Sequence, residues 1–399
     1  MGELDVSDLM TVQQAIRAIE MLPASPRVVS IPVRSAVGCA IARDYLAPND
    51  YPPFDRSLMD GYAVRTCDLP DGKGRLAVAG EVLAGRVFSG TVQPGQTVKI
   101  MTGAPVPDAA DAVVPVEHTH ADARWVSIDS PRLRPGSAIS PRGSDCTAGT
   151  AVLPAGTILT PAHIAVAATI GLAEVAVFDR PTVSVLSTGD EIAHPDAASS
   201  VNDANGPMLA TLLKRLGCRV KRVDVTGDDP ARLRAALQLG MQSDLLVSSG
   251  GVSMGDADHV PALLRDLGVS LAITKLRIKP GKPFVLGSHA RGFAVGLPGN
   301  PVSAFCCTLR LVRRLIDRLA GRAPTERWIE LPLADPISAN GPREFYQPAV
   351  IESGRIRVLP WKGSADVFTL SAASILVVRP IDDAARSAGE IVRAMEIER

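Results

Sequence analysis

The sequence has no excess of either charge. Its 42 Lys and Arg residues are balanced by 42 Asp and Glu residues. Proteins that hold a nucleic-acid backbone normally carry a basic excess, so we expect no nucleic-acid partner. Hydrophobic residues make up 46% of the chain and charged residues 21%, which excludes the disordered class and indicates a globular protein.

Cysteine pairing and long apolar runs are also missing. The six cysteines are scattered, and none has the two-residue spacing of a zinc knuckle or a redox dithiol. This usage suits a reducing compartment. Glu3, Asp5 and Asp8 stand where a signal peptide would be positively charged, and the most apolar stretch, 164–178, is too short to span a bilayer and contains Glu174. We therefore expect a cytoplasmic protein with no membrane span.

A chain of 399 residues is long enough for two or more domains. Thr11 and Gln14 resemble a capping box and predict a first helix. Between about residues 76 and 120, short strand-like runs alternate with turn signals, which predicts a β domain. We predict four domains, namely a discontinuous N-terminal mixed α/β domain (1–47 and 147–178), an inserted β domain (48–146), an α/β domain (179–326) and a C-terminal β domain (327–399).

The α/β domain is predicted from its alternating pattern. The apolar runs TVSVLS, DLLVSS, LAITKLRI and FAVGL are interleaved with helical segments that begin near Asn205, Asp229 and Pro301. Near-continuous apolar strands between helices are typical of a parallel sheet covered on both faces. After Glu326 the helical period disappears, and short strands separated by Gly-containing turns follow.

Four predicted strand ends carry glycine and polar residues, in the segments STGDE, SSGGVSMGD, KPGKP and LPGNP. Ligands of open parallel sheets bind beyond the carboxyl ends of the strands, where backbone amides meet anions. Glycine allows the backbone to approach phosphate oxygens closely. Each turn alone is typical of loop closure, but together they predict a binding site for a phosphate-bearing ligand. Its candidate substrate-binding residues are Ser187, Gly250, Gly251, Ser253 and Lys282, to which the family resemblance given below adds Pro298 and Pro301.

Two lysines of this region are spaced as on one strand face. Lys275 lies in LAITKLRI and Lys279 follows that run directly. The two are four residues apart, so period-two alternation along one strand predicts that they share a face, with Lys282 in the following turn. Such a cationic row favours an anion site. The alternative is a solvated strand edge, which lysine often protects.

Acidic residues occur in the same loops, among them Glu191, Asp228 and Asp258. Carboxylates beside an anion would repel it unless a divalent cation lay between them, so we predict that Mg²⁺ bridges phosphate and protein in these loops. The alternative role is helix capping, which is the stronger interpretation for Asp229 before Pro230.

The N-terminal half has a second candidate surface. The segments 52–63, 100–105 and 142–145 each combine small polar residues with glycine at the end of an apolar stretch. Composition alone indicates rigid loops, whereas a surface that faces a ligand or a second subunit would have the same character.

Six motifs in one order carry a family resemblance. They are PPFDRSLMDGYAVR (52–65), IMTGAPVP (100–107), STGDE (187–191), SSGGVSMGDAD (248–258), KPGKP (279–283) and LPGNPVSA (297–304). Together they resemble the MoeA family of molybdopterin molybdenumtransferases, which is related to the gephyrin E domain. The resemblance implies that residues 179–326 form a MogA-like molybdopterin-binding domain.

The resemblance also implies a reaction, in which adenylylated molybdopterin and molybdate yield molybdenum cofactor and AMP with Mg²⁺. It implies a homodimer whose cleft combines the α/β domain of one subunit with N-terminal domains of the other. Further partners would be the molybdopterin adenylyltransferase and recipient molybdoenzymes. By motif position, the implied catalytic residues are Asp60, Thr102, Asp145, Glu191, Lys275 and Lys279, and Asp228 and Asp258 join Glu191 as metal ligands.

These implications combine into one hypothesis for the site. Lys275, Lys279 and the N–H groups of Gly250 and Gly251 would hold phosphate or oxyanion. Glu191, Asp228 and Asp258 would hold Mg²⁺ while Ser253 helps to place molybdate.

Two positions depart from the family pattern. Gln347 in EFYQPAV stands where the family usually carries arginine, and Gly206 stands where VNDANG would end in serine. Two alternative functions stay open. One is the adenylyltransferase of the preceding step, which would carry a TGGTG-like turn; the other is a non-catalytic scaffold of the gephyrin kind.

Overall fold

The computed structural model describes residues 9–193, 200–252, 259–324 and 326–397. The chain divides into two compact units. The first contains Met1–Ala42, Ile158–Thr160 and Glu174–Arg399, and the second contains Arg43–Thr157 and Pro161–Ala173. The four-domain division stays a prediction.

The helices of the described chain are α1 (Val12–Met21), α2 (Pro161–Thr169), α3 (Asp190–Ala193), α4 (Asn205–Arg215), α5 (Pro230–Gly240), α6 (Val260–Asp266), α7 (Pro301–Cys307), α8 (Arg313–Leu319) and α9 (Val367–Ala372). A π-helical turn, Thr308–Val312, joins α7 to α8.

The strands of the N-terminal part are β1 (Val28–Pro32), β2 (Tyr45–Leu46), β3 (Arg56–Ser57), β4 (Gly61–Val64), β5 (Lys73–Val82), β6 (Gln96–Ile100), β7 (Ala112–Pro115), β8 (Thr119–Ala121), β9 (Trp125–Asp129), β10 (Ile139–Ser140), β11 (Ala151–Leu153) and β12 (Glu174–Phe178). Those that follow are β13 (Thr182–Thr188), β14 (Arg219–Thr226), β15 (Leu245–Ser249), β16 (Ser270–Lys275), β17 (Ile278–Lys279), β18 (Pro283–His289), β19 (Gly292–Leu297), β20 (Trp328–Pro332), β21 (Glu344–Glu352), β22 (Arg355–Val358), β23 (Ile375–Arg379) and β24 (Ile391–Glu396).

Local signals in the sequence correctly located two helix starts. The Thr11 side chain accepts the Gln14 backbone N–H at 3.2 Å, and the Gln14 Oε1 accepts the Thr11 N–H at 2.8 Å, which completes the capping box of α1. Asp229 caps α5 through the Arg232 N–H at 2.9 Å, ahead of Pro230 at the first helical position. The prediction that Asp229 is a cap is therefore confirmed.

The main sheet of the first unit has six strands in the order β14-β13-β15-β19-β18-β16. β13, β14, β15 and β19 pair in parallel, as predicted, and every residue of β13 and β15 is buried. β18 is antiparallel to both of its neighbours. Only Ala290 and Arg291 separate β18 from β19, and a two-residue connection forms a hairpin, not a parallel crossover. Helices and strands thus combine into the predicted multi-domain α/β plus β fold.

A second sheet in the same unit has the order β17-β21-β23-β24-β20, with β22 paired to β21. β17 pairs in parallel with β21, and Lys279 is the Cα partner of Phe345. This pairing joins a loop of the α/β region to the strands that follow Glu326. The position of the basic residues described below depends on it.

The second unit contains a six-stranded sheet in the order β7-β4-β6-β5-β9-β8. β4 lies between β6 and β7 and pairs antiparallel with both. Short pairs, β3 with β10 and β2 with β11, complete its strands. In the described part of the chain, no helix is long and apolar enough to cross a membrane.

Candidate active site

A cavity of about 370 Å³ lies at the carboxyl ends of the parallel strands of the first unit. Thr188 ends β13, Ser249 ends β15, and Pro298 follows β19, so three adjacent strand ends contribute to it. This is the edge at which open α/β sheets bind ligands. Its lining is Thr188, Gly189, Glu191, Ile192, Val201, Asn202, Asp203, Ala204, Asn205, Asp228, Ser249, Gly250, Gly251, Val252, Pro283, Pro298, Gly299 and Pro301.

The glycine pair after β15 is required by geometry. Gly250 has φ +95° and Gly251 has φ +63°, in the left-handed region. A Cβ on Gly250 would lie 2.4 Å from the Thr188 carbonyl oxygen. The Gly250 N–H donates to the Leu297 carbonyl at 3.0 Å. This N–H is committed to the sheet, which corrects the hypothesis that it holds a phosphate oxygen.

Two of the three predicted metal ligands line this cavity. Glu191 is exposed on α3, and Asp228 accepts the Asp190 N–H at 3.4 Å while the Asp190 carboxylate accepts the Asp228 N–H at 3.0 Å. Asp258 and Ser253 lie outside the described residues. Within the described ranges, no group of three His, Cys, Asp or Glu side chains is arranged to hold a metal ion by itself.

A second cavity, of about 550 Å³, adjoins the first, because Pro283 and Pro298 line both. We call it the basic cavity. Its cations are Lys279, Lys282, Arg343 and Lys362, and none of the described residues that line it is acidic. The other lining residues are Pro280, Gly281, Pro283, Pro298, Asn300, Ser303, Phe345, Trp361, Gly363 and Ser364.

The predicted lysine row is not on one strand. β16 ends at Lys275, and Lys279 belongs to β17 in the other sheet, so the prediction that both lie on one strand face is wrong. Lys275 is the Cα partner of Pro283 and lines neither cavity. Lys279 and Lys282 both line the basic cavity, which places the cations of the KPGKP motif together.

Two short contacts fix the polar edge of the basic cavity. The Asn300 Nδ2 donates to the Ser364 Oγ at 2.8 Å, and the Val302 N–H donates to the Ser364 carbonyl at 3.1 Å. The start of α7 and the segment before α9 thus hold the cavity between them.

An aromatic pair lines the same cavity. The Lys279 ammonium lies 4.4 Å from the centroid of the Phe345 ring, and that ring is 5.9 Å from the Trp361 ring.

Sequence reasoning missed several lining residues. Arg343, Trp361 and Lys362 lie sixty or more positions after KPGKP. The pairing of β17 with β21 brings Arg343 to it, and the contacts of Ser364 with Asn300 and Val302 bring the segment of Trp361 and Lys362. Asn205, which the sequence pattern identifies only as a helix start, lines the first cavity. Its Nδ2 donates to the Gly299 carbonyl at 2.6 Å. Its position at a helix start after a strand end was the available signal.

Other predicted residues are placed as follows. Pro298 and Pro301 line the first cavity. Ser187 is 1% exposed and its Oγ has no partner among the described residues, whereas its neighbour Thr188 reaches the cavity. Gln347 lies two residues after Phe345 on β21 and lines neither cavity.

In the second unit, Asp60 and Thr102 are in direct contact. Asp60 precedes β4 and Thr102 follows β6, and the antiparallel pairing of Gly61 with Ile100 brings them together. The Thr102 N–H and hydroxyl both donate to the Asp60 Oδ1, each at 2.7 Å. The backbone bond first, and then the hydroxyl bond, hold the pKa of Asp60 below its ordinary value, because they stabilise the carboxylate.

Asp145, also in the second unit, forms an ion pair with Arg56 at 2.8 Å. Both side chains are exposed, so solvent screens the pair. Nearby, Arg142 pairs with Asp50 at 2.8 Å, and its N–H donates to Asp55 at 2.7 Å. These contacts order the loop that contains the PPFDR motif.

The fold is that of a multi-domain α/β plus β protein with two adjoining cavities, the first of them at the carboxyl edge of its parallel strands. Two families match the chain: "MoeA N-terminal region (domain I and II)" at residues 10–171, and "Probable molybdopterin binding domain" at residues 184–318.

Curated relatives and a solved structure point to the same family as these two matches. The molybdopterin molybdenumtransferase of Haemophilus influenzae is 36% identical over 79% of this chain and 78% of its own length. The molybdopterin molybdenumtransferase of Synechococcus elongatus is 32% identical over 90% of this chain and 91% of its own length. A crystal structure of a molybdopterin biosynthesis MoeA protein from Pyrococcus horikoshii is similar at a TM-score of 0.84 and 27% identity, covering 98% of this chain and 100% of that one. The chain belongs to the MoeA family of molybdopterin molybdenumtransferases and is a transferase of molybdenum cofactor biosynthesis.

Proposed function

We propose that this protein inserts molybdenum, supplied as molybdate, into adenylylated molybdopterin with release of AMP and in the presence of Mg²⁺. The observation that carries the proposal is the adjacency of two unlike cavities. One has glycine turns and carboxylates, and the other has four cations and, among the residues that the structure describes, no acid. The same two prolines, Pro283 and Pro298, line both.

The basic cavity is proposed to hold molybdate. A tetrahedral dianion is stabilised by converging cations and by hydroxyl or amide donors. Lys279, Lys282 and Arg343 supply charge there, and Ser303 and Asn300 supply neutral polar groups. No carboxylate among the lining residues in the described part of the chain opposes the anion.

The first cavity is proposed to hold the phosphate-linked part of the substrate. Gly251 and Gly299 line this cavity without side chains, so phosphate oxygens could approach their backbone at the strand ends. Asn205, fixed through Gly299, presents a polar side chain beside them. Molybdate and the adenylylated phosphate would then lie in adjoining sites, as metal insertion with loss of AMP requires.

The carboxylates present fit Mg²⁺. This cation is commonly bound by one or two carboxylates together with substrate phosphates and water, and Glu191 and Asp228 line the cavity proposed for the phosphates. When bound there, Mg²⁺ would offset the negative charge of the phosphoryl group from which AMP departs. Asp258 is retained as a third proposed ligand from the family resemblance.

The remaining proposals come from the resemblance. Lys275, Asp60, Thr102 and Asp145 are proposed active-site residues of a homodimer, and the protein is proposed to be cytoplasmic. The adenylyltransferase and recipient molybdoenzymes are its proposed partners.

A molybdate-dependent release of AMP tests the function. Purified protein is incubated with adenylylated molybdopterin and Mg²⁺, with and without molybdate, and AMP is quantified. We expect release only when molybdate is present, and we expect Glu191→Ala to abolish it. Glu330→Ala, an exposed residue of β20, is the control that should keep the full rate.

Two outcomes would replace the proposal. Formation of adenylylated molybdopterin from ATP and molybdopterin, without molybdate insertion, would identify an adenylyltransferase. Failure of the folded wild-type protein to release AMP or to make cofactor would favour a scaffold. An unimpaired Glu191→Ala variant would remove Glu191 from the mechanism.

A further inference from the structure

The basic cavity contains an aromatic contact that the function proposed above does not use. The Lys279 ammonium lies 4.4 Å from the centroid of the Phe345 ring, within the distance of a cation–π interaction. The two residues are Cα partners in the parallel pairing of β17 with β21. The contact is therefore set by sheet register.

Repulsion from the neighbouring cations gives the contact between Lys279 and Phe345 a role in placing the ammonium. Lys279 shares the cavity with Lys282, Arg343 and Lys362, and no acidic side chain of the described ranges lines it. Lys279 is exposed, and no described carboxylate forms an ion pair with it. An unrestrained lysine among like charges would extend into solvent, where it would be displaced from an anion in the cavity. The ring face opposes this displacement.

The ring itself is held in place. Phe345 is half-buried, and Trp361 lies 5.9 Å away at an interplanar angle of 37°. A residue so packed offers a fixed surface, whereas a second lysine or a water molecule would not. The aromatic pair thus forms a wall of the cavity, on which the Lys279 side chain lies.

We propose that Phe345 is a positioning residue that holds the Lys279 ammonium toward the oxyanion in the basic cavity. The inference rests on the proposed function, since it concerns how that cavity receives molybdate. Phe345 does not touch the anion in this account; it acts through Lys279. It therefore affects the affinity for molybdate more than the rate at saturation.

The first test measures molybdate binding to the full-length protein by calorimetry. We expect Phe345→Leu to weaken molybdate binding about two- to fivefold, the range expected for an exposed cation–π contact, and Phe345→Tyr to restore it. KM for molybdate should rise by a similar factor with kcat little changed. Phe368→Leu, an aromatic residue that is 84% exposed on α9, is the matched control and should bind as wild type does.

A double-mutant cycle separates positioning from a structural role. In a Lys279→Met background, Phe345→Leu should cause no further loss, because the ammonium is already gone. An equal loss in both backgrounds would overturn the inference, and so would wild-type affinity in Phe345→Leu.

A readout without molybdate distinguishes failure of this inference from failure of the proposed function. In lysine-labelled protein, the Lys279 ε-methylene protons should show an upfield ring-current shift that Phe345→Leu removes and Phe345→Tyr keeps. If the shift is present but wild type binds no molybdate, the oxyanion role of the cavity is overturned. If the shift is absent while molybdate binds, the positioning role of Phe345 is overturned.

Discussion

Thr102 donates both its backbone N–H and its hydroxyl to the same oxygen of Asp60, each at 2.7 Å. Both residues belong to motifs that carried the family resemblance, and here they form one unit. The carboxylate is held ionised by two donors from a single neighbour, of which only one depends on the side chain at position 102.

This arrangement makes a pH prediction. Thr102→Val removes the hydroxyl donor and keeps the N–H donor, so the pKa of Asp60 should rise but remain below its ordinary value of 3.8. Thr102→Ser should titrate as wild type does. Because the folded-state pKa is lowered, the contribution of Asp60 to stability is present above pH 3.8 and is lost as the pH falls through the folded-state pKa. NMR titration of the Asp60 carboxyl carbon measures this, and identical curves for Thr102→Val and wild type would contradict it.

A second prediction concerns Gly250. Alanine there would adopt an unfavourable positive φ and place its Cβ 2.4 Å from the Thr188 carbonyl oxygen. We expect Gly250→Ala to lower the free energy of unfolding by at least about 2 kcal/mol and to reduce activity, since the strand end must shift. Urea denaturation measures the first effect. Gly341→Ala is the control, because no described residue other than its chain neighbours places an atom within 4 Å of its Cβ position. Equal stability of the two variants would refute the requirement for glycine.

The basic cavity makes a third prediction. Lys282→Met should raise KM for molybdate about tenfold, because a hydrogen bond to a charged group contributes ~1.5 kcal/mol. Lys221→Met removes an exposed lysine of β14 and should leave KM unchanged. Steady-state kinetics of AMP release at varied molybdate provide the comparison. A similar KM for both variants would remove Lys282 from the anion site.

Thiol chemistry gives a fourth prediction. Cys67 is exposed, whereas Cys218 and Cys307 are buried, and burial raises the pKa of each of these two thiols to about 12. At neutral pH, iodoacetamide should modify Cys67 rapidly. Cys218 and Cys307 should stay unmodified until the protein unfolds, because the thiolate is the reactive form. Mass spectrometry of digested protein locates the label. Rapid labelling of Cys218 in the native protein would contradict its burial.

The sequence predicted those features that depend on neighbouring residues. The capping box of Thr11 and Gln14 and the cap at Asp229 are local, and both form as expected. The parallel order of β13, β15 and β19 followed from apolar strands alternating with helices, so the edge at which the first cavity lies could be predicted as well.

Features that depend on distant pairing could not be predicted. The segment LAITKLRI was predicted as one strand, yet the chain leaves one sheet after Lys275 and joins another at Ile278, because β21 offers a partner there. For the same reason Arg343 and Lys362 were not identified as companions of Lys279. Their proximity follows from strand register between segments that no local pattern connects.

The most direct measurement of the central claim is the position of molybdate in the protein. Crystals soaked in molybdate and measured at the molybdenum absorption edge should show an anomalous peak in the basic cavity, within contact distance of Lys279 and Lys282, and no such peak in a Lys279→Met/Lys282→Met variant. An ordered molybdenum peak elsewhere, with none between these lysines in wild type, would contradict the account.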